Sequence, residues 1–180
     1  TIEFIAEING YTTLVQGIRE EDLQNIYSDP LESGTSFRPG VKSVILSHSV
    51  ANQLGVKVND TVIIVPKRGV GAGTGEPFLV VGILKDMGPL ESYIGSLIRL
   101  ETAQQLTGYQ GYVSRIMVRV KDPTYTNYIK AEIERMFPQV DVRSQEDILS
   151  NVNELLSNVN VVLVALGSIS TIVGAIGVMN

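Results

Sequence analysis

A chain of 180 residues, 44% hydrophobic and 18% charged, is long enough to bury a real core and too apolar to remain a disordered coil. Its formal charge of -5 and pI near 4.9 exclude a nucleic-acid groove, which needs clustered Lys and Arg to replace phosphate counterions; the 14 basic residues here are scattered. With no cysteine, a disulfide framework and a thiolate metal site are excluded too, and the redox compartment stays open.

In chain order, residues 1–18 alternate apolar and polar around Asn9-Gly10, a strong short-range hairpin signal, which predicts strands over 2–8 and 11–18. The acidic start Glu20, Glu21 and Asp22 opens a short helix over 19–27, its charges suiting a helix N-terminus. Residues 29–40, with two prolines and two glycines, read as loop. A strand over 41–46 follows, then a helix capped by Ser47 and stopped by Gly55. Asn59-Asp60 turns the chain into a strand over 61–65; 67–77 is a Gly-rich mobile tip; 78–85 is too continuously apolar to be other than a buried strand. Residues 92–100 are expected as a strand and 101–106 as a helix ended at Gly108.

The next stretch predicts a β-α-β unit: a strand over 113–120, a helix started by Asp122-Pro123 and stopped by Pro138, and a strand over 140–143. Tyr125, Tyr128, Ile129, Ile133, Met136 and Phe137 share one face of that helix. Ser144 and Asp147 form a capping box with Asp in the place where Glu or Gln is usual. From there Ile148, Val152, Leu155, Val159, Val162, Leu166, Ile169, Val173 and Ile176 follow alternating steps of four and three, a heptad seam. After Glu154 no charged residue occurs, and the run 161–179 would form a helix roughly 28 Å long against a hydrocarbon core of about 30 Å. Its Gly, Ser and Ala content suits close approach of membrane helices. The chain opens without a basic region and apolar signal core, so it reads as a fragment of something longer.

Candidate chemistry is sparse. Gly69, Gly71, Gly73 and Gly75 alternate, but no Lys-Ser/Thr pair follows and the segment leads into a strand, so no helix N-terminus is there to hold phosphate. His48 is the sole histidine, so a zinc site would need carboxylates for every other ligand; Ser47 and Ser49 beside it do not make a nucleophile elbow. Asn59-Asp60-Thr61 matches the glycosylation sequon, a weak signal. No acid, base and nucleophile assemble, and the expectation is a non-enzyme with no catalytic, cofactor or metal site.

The stretches VILSHSVANQLGVKVNDTVII, FLVVGILKDMG and SLIRLETAQQLTG, in that order, resemble the extracytoplasmic domain of the MacB/FtsX/LolC-type ABC permeases. The final GSISTIVGAIGVMN resembles the start of their second membrane helix. The chain departs from the family at Asn59, where glycine is usual, and at Arg99, where proline is usual. The resemblance implies an α+β fold with mixed and antiparallel sheets and short helices in two subdomains. Residues 1–28 and 112–150 would form a membrane-proximal, porter-like half, 29–111 an inserted outer half, and 151–180 a stalk continuing into a transmembrane helix. It also implies that the family's first membrane helix and the first strand and helix of the domain are missing here. The implied function is to couple ATP-driven movement of membrane helices to handling of a substrate or partner outside the cell membrane. The implied partners are a cytosolic ABC ATPase subunit, a second permease subunit, the lipid bilayer and an extracytoplasmic protein. The rival readings are a membrane-anchored sensor or ligand-binding module, and a membrane-tethered hydrolase.

Overall fold

The computed structural model describes residues 1–26, 29–88 and 91–179, and the chain divides into two units, Thr1–Arg119 and Val120–Asn180. In the first, β1 (Ile2–Ile8) and β2 (Tyr11–Ile18) form the expected hairpin. Asn9 at φ 46° and Gly10 at φ 85° supply the two left-handed residues that match the twist of the strands. The Asn9 amide then donates to the Ile63 carbonyl and its Oδ1 accepts from the Ile63 amide, which ties the turn to a third strand. Further along lie α1 (Glu20–Ile26), β3 (Leu31–Gly34), β4 (Ser43–Leu46), α2 (His48–Leu54), β5 (Thr61–Pro66) and β6 (Glu76–Leu84). Last come α3 (Glu91–Ile94), β7 (Ser96–Arg99) and α4 (Leu100–Thr107).

The sheet order is β3-β6-β4-β7-β2-β1-β5, and β5 also pairs with β6. Six strands therefore close into a ring. One side of β6 carries β4; the other is shared by β5 along Glu76–Leu79 and β3 along Gly82–Leu84. Period-two alternation points Ile2, Phe4, Ala6 and Ile8 of β1 inward, where they meet Val44, Leu46, Val62, Ile64, Phe78, Val80 and Ile98. Val50 and Ala51 of α2 and Ala103 and Leu106 of α4 join the same core. Outside the ring, Ile18, Ile45, Val81 and Leu97 gather Leu23, Phe37 and Leu84 into a second core. Each fully buried aliphatic side chain stabilises by about 1.5–3 kcal/mol relative to exposure.

Two expectations within this unit need correcting. Residues 31–34 are a strand, not loop, and glycine is required at Gly34 because a Cβ would lie 2.2 Å from the Val81 carbonyl oxygen. The expected strand over 92–100 begins instead as α3, with only Ser96–Arg99 extended. β1 and β2 are hydrogen-bonded neighbours of β5 and β7.

The expected β-α-β unit is not formed among the described residues, because neither 113–120 nor 140–143 is a strand. β5 pairs with only Ala6–Ile8 of β1, and residues 114 and 115 lie beside the start of that same edge without continuing as a strand. Only a short contact survives, in which the Ser114 and Arg115 amides donate to the Thr1 carbonyl. At 140–143 the Val140 amide turns back to the Phe137 carbonyl.

In the second unit the Asp122 carboxylate accepts from the Thr124 amide and Pro123 opens a 3-10 turn, Pro123–Tyr125, which leads into α5 (Thr126–Met136). Phe137 departs from helical backbone just before Pro138. The final element is α6 (Gln145–Met179), 35 residues. Ser144 and Asp147 bond reciprocally at its start: the Ser144 amide donates to Asp147 Oδ2 at 2.8 Å and the Asp147 amide to Ser144 Oγ at 3.1 Å. Asp replaces the longer Glu of the usual box and still reaches.

Candidate functional site

The one His sits at the start of α2, where backbone pairing has carried the β3 edge strand alongside it. His48 Nδ1 lies 2.6 Å from Glu32 Oε2, and Nε2 lies 2.7 Å from Asn52 Nδ2, one helical turn on. The bond to Glu32 raises the His48 pKa above its ordinary value, assisted by the more distant Asp86 and Glu91 carboxylates. These residues line a shallow cleft of about 230 Å³ with Lys57, Ala51, Gly55, Val56 and Ile83. Ser47 Oγ contacts Ser49 Oγ at 3.4 Å and no bond from either serine to His48 is formed among the described residues. Glu32 was not legible as a His48 partner from spacing, because only the β3–β6 pairing sets the two side by side.

Glu20, Glu21 and Asp22 do not converge on a site; Arg99 pairs with Glu20, and Arg19 with Glu21 and Asp22. Among the described residues no group of three or more His, Asp or Glu is placed to hold a metal ion. The glycine loop is not a free tip. The Gly71 amide donates to the Leu106 carbonyl and the Gly73 amide to the Pro66 carbonyl. A Cβ on Gly69 or Gly71 would stand 2.7 Å from the Thr107 carbonyl oxygen or 2.9 Å from that of Leu106. The glycines thus let backbone pack on the end of α4. Asn59 takes φ 77°, the left-handed region that Asn tolerates second only to glycine, which accounts for its standing where the resembling family has glycine. Arg99 stacks its guanidinium 5.8 Å from the centre of the Phe37 ring.

The seam residues all belong to α6. Val159, Val162 and Leu166 are exposed, at 56–57%; the side chains of Ile148, Val152, Leu155, Ile169, Val173 and Ile176 lie outside the described residues. Among the described residues no helix is long and apolar enough to cross a membrane. Where α5 and α6 meet, Lys130 Nζ lies 2.6 Å from Asp147 Oδ2. That ammonium first, and Ser144 second, hold the Asp147 carboxyl down to about 2. Sequence reading found the cap but not the lysine, seventeen positions away.

Compared with known proteins, residues 3–136 match the MacB-like periplasmic core domain. The chain is 26% identical over 171 residues to an uncharacterised ABC transporter permease of Methanocaldococcus jannaschii, an alignment covering 88% of this chain and 41% of that relative. It therefore spans about two-fifths of the relative's length. A solved domain of a candidate permease protein from Porphyromonas gingivalis is similar at a TM-score of 0.41 and 15% identity, covering 75% of this chain and 60% of that one.

Proposed function

Because the chain belongs to the family of MacB-like periplasmic core domains, we propose that it is the extracytoplasmic domain of an ABC transporter permease subunit, anchored in the cell membrane. Its role is mechanical and recognitional, without catalysis of its own. A cytosolic ATPase supplies the movement, a second permease subunit completes the assembly, and the domain changes its contacts with a substrate or partner outside. The family match over 3–136 carries this reading. Two features support the mechanical part. The helix α6 begins at a reciprocal cap that resists fraying and continues for 35 residues into the uncharged run 161–179. Lys130 clamps α5 to the first turn of that helix, so a shift of α6 along its axis would pull on α5.

The test uses the full-length protein in intact cells. Because this chain contains no cysteine, Val70→Cys, at a residue 82% exposed, adds a single thiol here. A membrane-impermeant maleimide should label it without lysis, measured against the parent protein; labelling only after lysis would refute the extracytoplasmic placement. For coupling, Tyr128→Cys on α5 should change its labelling rate when ATP is supplied to vesicles holding permease and ATPase. A proline at Val159, which interrupts α6, should remove that response. A rate indifferent to ATP in the uninterrupted protein would remove the mechanical part while leaving the placement intact.

A further inference from the structure

β3 is the weakest-held strand of the sheet and lies outside the closed ring. It has a single neighbour, β6, its pairing is interrupted by a register shift between Leu31 and Ser33, and its residues past Leu31 are exposed. Backbone bonds from Thr35 to the Val81 carbonyl and from Lys85 to the Pro30 carbonyl hold its two ends. Its one side-chain tie to α2 among the described residues is Glu32 to His48. We propose that Glu32, His48 and Asn52 form a pH-sensitive latch that holds strand β3 against helix α2 across the cleft, tighter while His48 is protonated and weaker once it is neutral.

The geometry gives the chain of three two distinct states. A neutral imidazole with its proton on Nδ1 donates to Glu32 and accepts from the Asn52 amide nitrogen at Nε2, which fits the placement of Asn52 Nδ2 beside Nε2. An imidazolium has no acceptor to offer, so the Asn52 amide must turn its oxygen toward Nε2 while Glu32 gains a full ion pair. The bond to the Glu32 carboxylate exists in both states, but only the imidazolium adds coulombic attraction to it, so β3 is held more firmly in the charged state. The groups facing the ring are Glu32 from β3, Asn52 from α2, Glu91 from α3 and Asp86 from the segment before it, with Lys57 at the mouth of the cleft. Glu91 is itself held by the Ser49 and Met87 amides, so it stays in place through the titration. The hydrogen bond to Glu32 first, then the coulombic pull of Glu32, Asp86 and Glu91, raises the His48 pKa. The sign is that of a group raised on folding: the ion-pair part of the tie is complete below the ordinary histidine pKa of about 6.5 and is lost as pH rises through the higher value in the folded chain, leaving the bond of the neutral ring.

The experiment follows the full chain labelled at histidine by NMR, with the His48 signal assigned by its loss in His48→Gln. Hydrogen exchange of the Thr35 and Lys85 amides is recorded over the same pH range as protection factors. His48 should titrate above 6.5, and Glu32→Gln should lower that midpoint. In the parent chain, protection at Thr35 and Lys85 should fall about two- to fivefold across the His48 titration, whereas in Glu32→Gln it should be low and flat with pH. An equal midpoint in both chains, or protection in the parent that is unchanged across the titration, overturns the latch. Loss of protection throughout the ring in Glu32→Gln would reveal a misfolded variant. Asn52→Leu then decides: it keeps Glu32, removes the amide that serves both states, and should lower the midpoint without flattening the response, while an unmoved midpoint counts against the proposal.

Discussion

Gly17 on β2 tests whether α4 is seated on the ring as closely as the backbone implies. A Cβ there would lie 2.3 Å from the Ala103 Cβ, 2.8 Å from Ile2 Cγ2 and 3.2 Å from the Leu100 Cα. Carbon atoms rest at about 3.5–4.0 Å, so Gly17→Ala must push α4 and β2 apart by roughly 1.2 Å. Neither side yields easily, since Ile2 and Ala103 are both buried and their contacts run into the main core. Overpacking of this kind costs about 1–3 kcal/mol, which for a chain of this size lowers Tm by about 3–10 °C. The assay is thermal unfolding by near-ultraviolet circular dichroism on four chains: parent, Gly17→Ala, Ala103→Gly and the double variant. Ala103→Gly costs about 1 kcal/mol alone from helix propensity, but it removes the methyl that the new Cβ strikes. Gly17→Ala should therefore cost at least about 1 kcal/mol less in that background than in the parent. Equal costs in both backgrounds, or a parent cost below about 0.5 kcal/mol, would refute the close seating of α4.

Asp147, held near 2 against an ordinary value of 3.8, stabilises the start of α6 at all pH values above 3.8; the contribution fades as pH falls toward 2. The protection factor of the Asp147 amide, corrected for its intrinsic exchange rate, should fall over that interval, and in Asp147→Asn it should stay flat there. Asn59→Gly should leave the urea midpoint nearly unchanged, whereas Asn59→Val places a β-branched residue at φ 77° and should cost about 1–2 kcal/mol in urea unfolding. Light scattering in detergent-free buffer should find the 180-residue chain self-associated through α6, and a chain ending near Ser150 less so; equal monomeric masses would count against association through this helix.

Legibility in the sequence followed the range of the forces. Asn9-Gly10, Gly55, Gly108 and the Ser144–Asp147 box act within a few residues, and each was placed where the structure has it. What escaped depends on partners far along the chain. β3 has little apolar pattern of its own and is a strand only because β6 offers an edge. Conversely, 113–120 has the alternation of a strand but pairs with no strand among the described residues, and Ile116 remains exposed. Closure of the ring rests on β2 with β7 and β1 with β5, pairings that hydrophobic period cannot specify. The glycine loop misled because repeated glycine signals freedom and close packing alike.

Ring closure also sets an order of events during synthesis. The first hairpin emerges early, yet the partners that flank it are β5 at 61–66 and β7 at 96–99. No arrangement of the first sixty residues can enclose Ile2, Phe4 and Ile8, whose neighbours Val62, Ile64, Phe78 and Ile98 are still to be made. At about 5–20 residues per second, that wait lasts on the order of five to fifteen seconds, with one face of the hairpin bare. Non-local pairing of this kind slows folding, because loop entropy must be lost before contacts reward it. A nascent chain stalled before Arg99 should therefore be sensitive to protease along its whole length, and resistance should arise abruptly once β7 has cleared the exit.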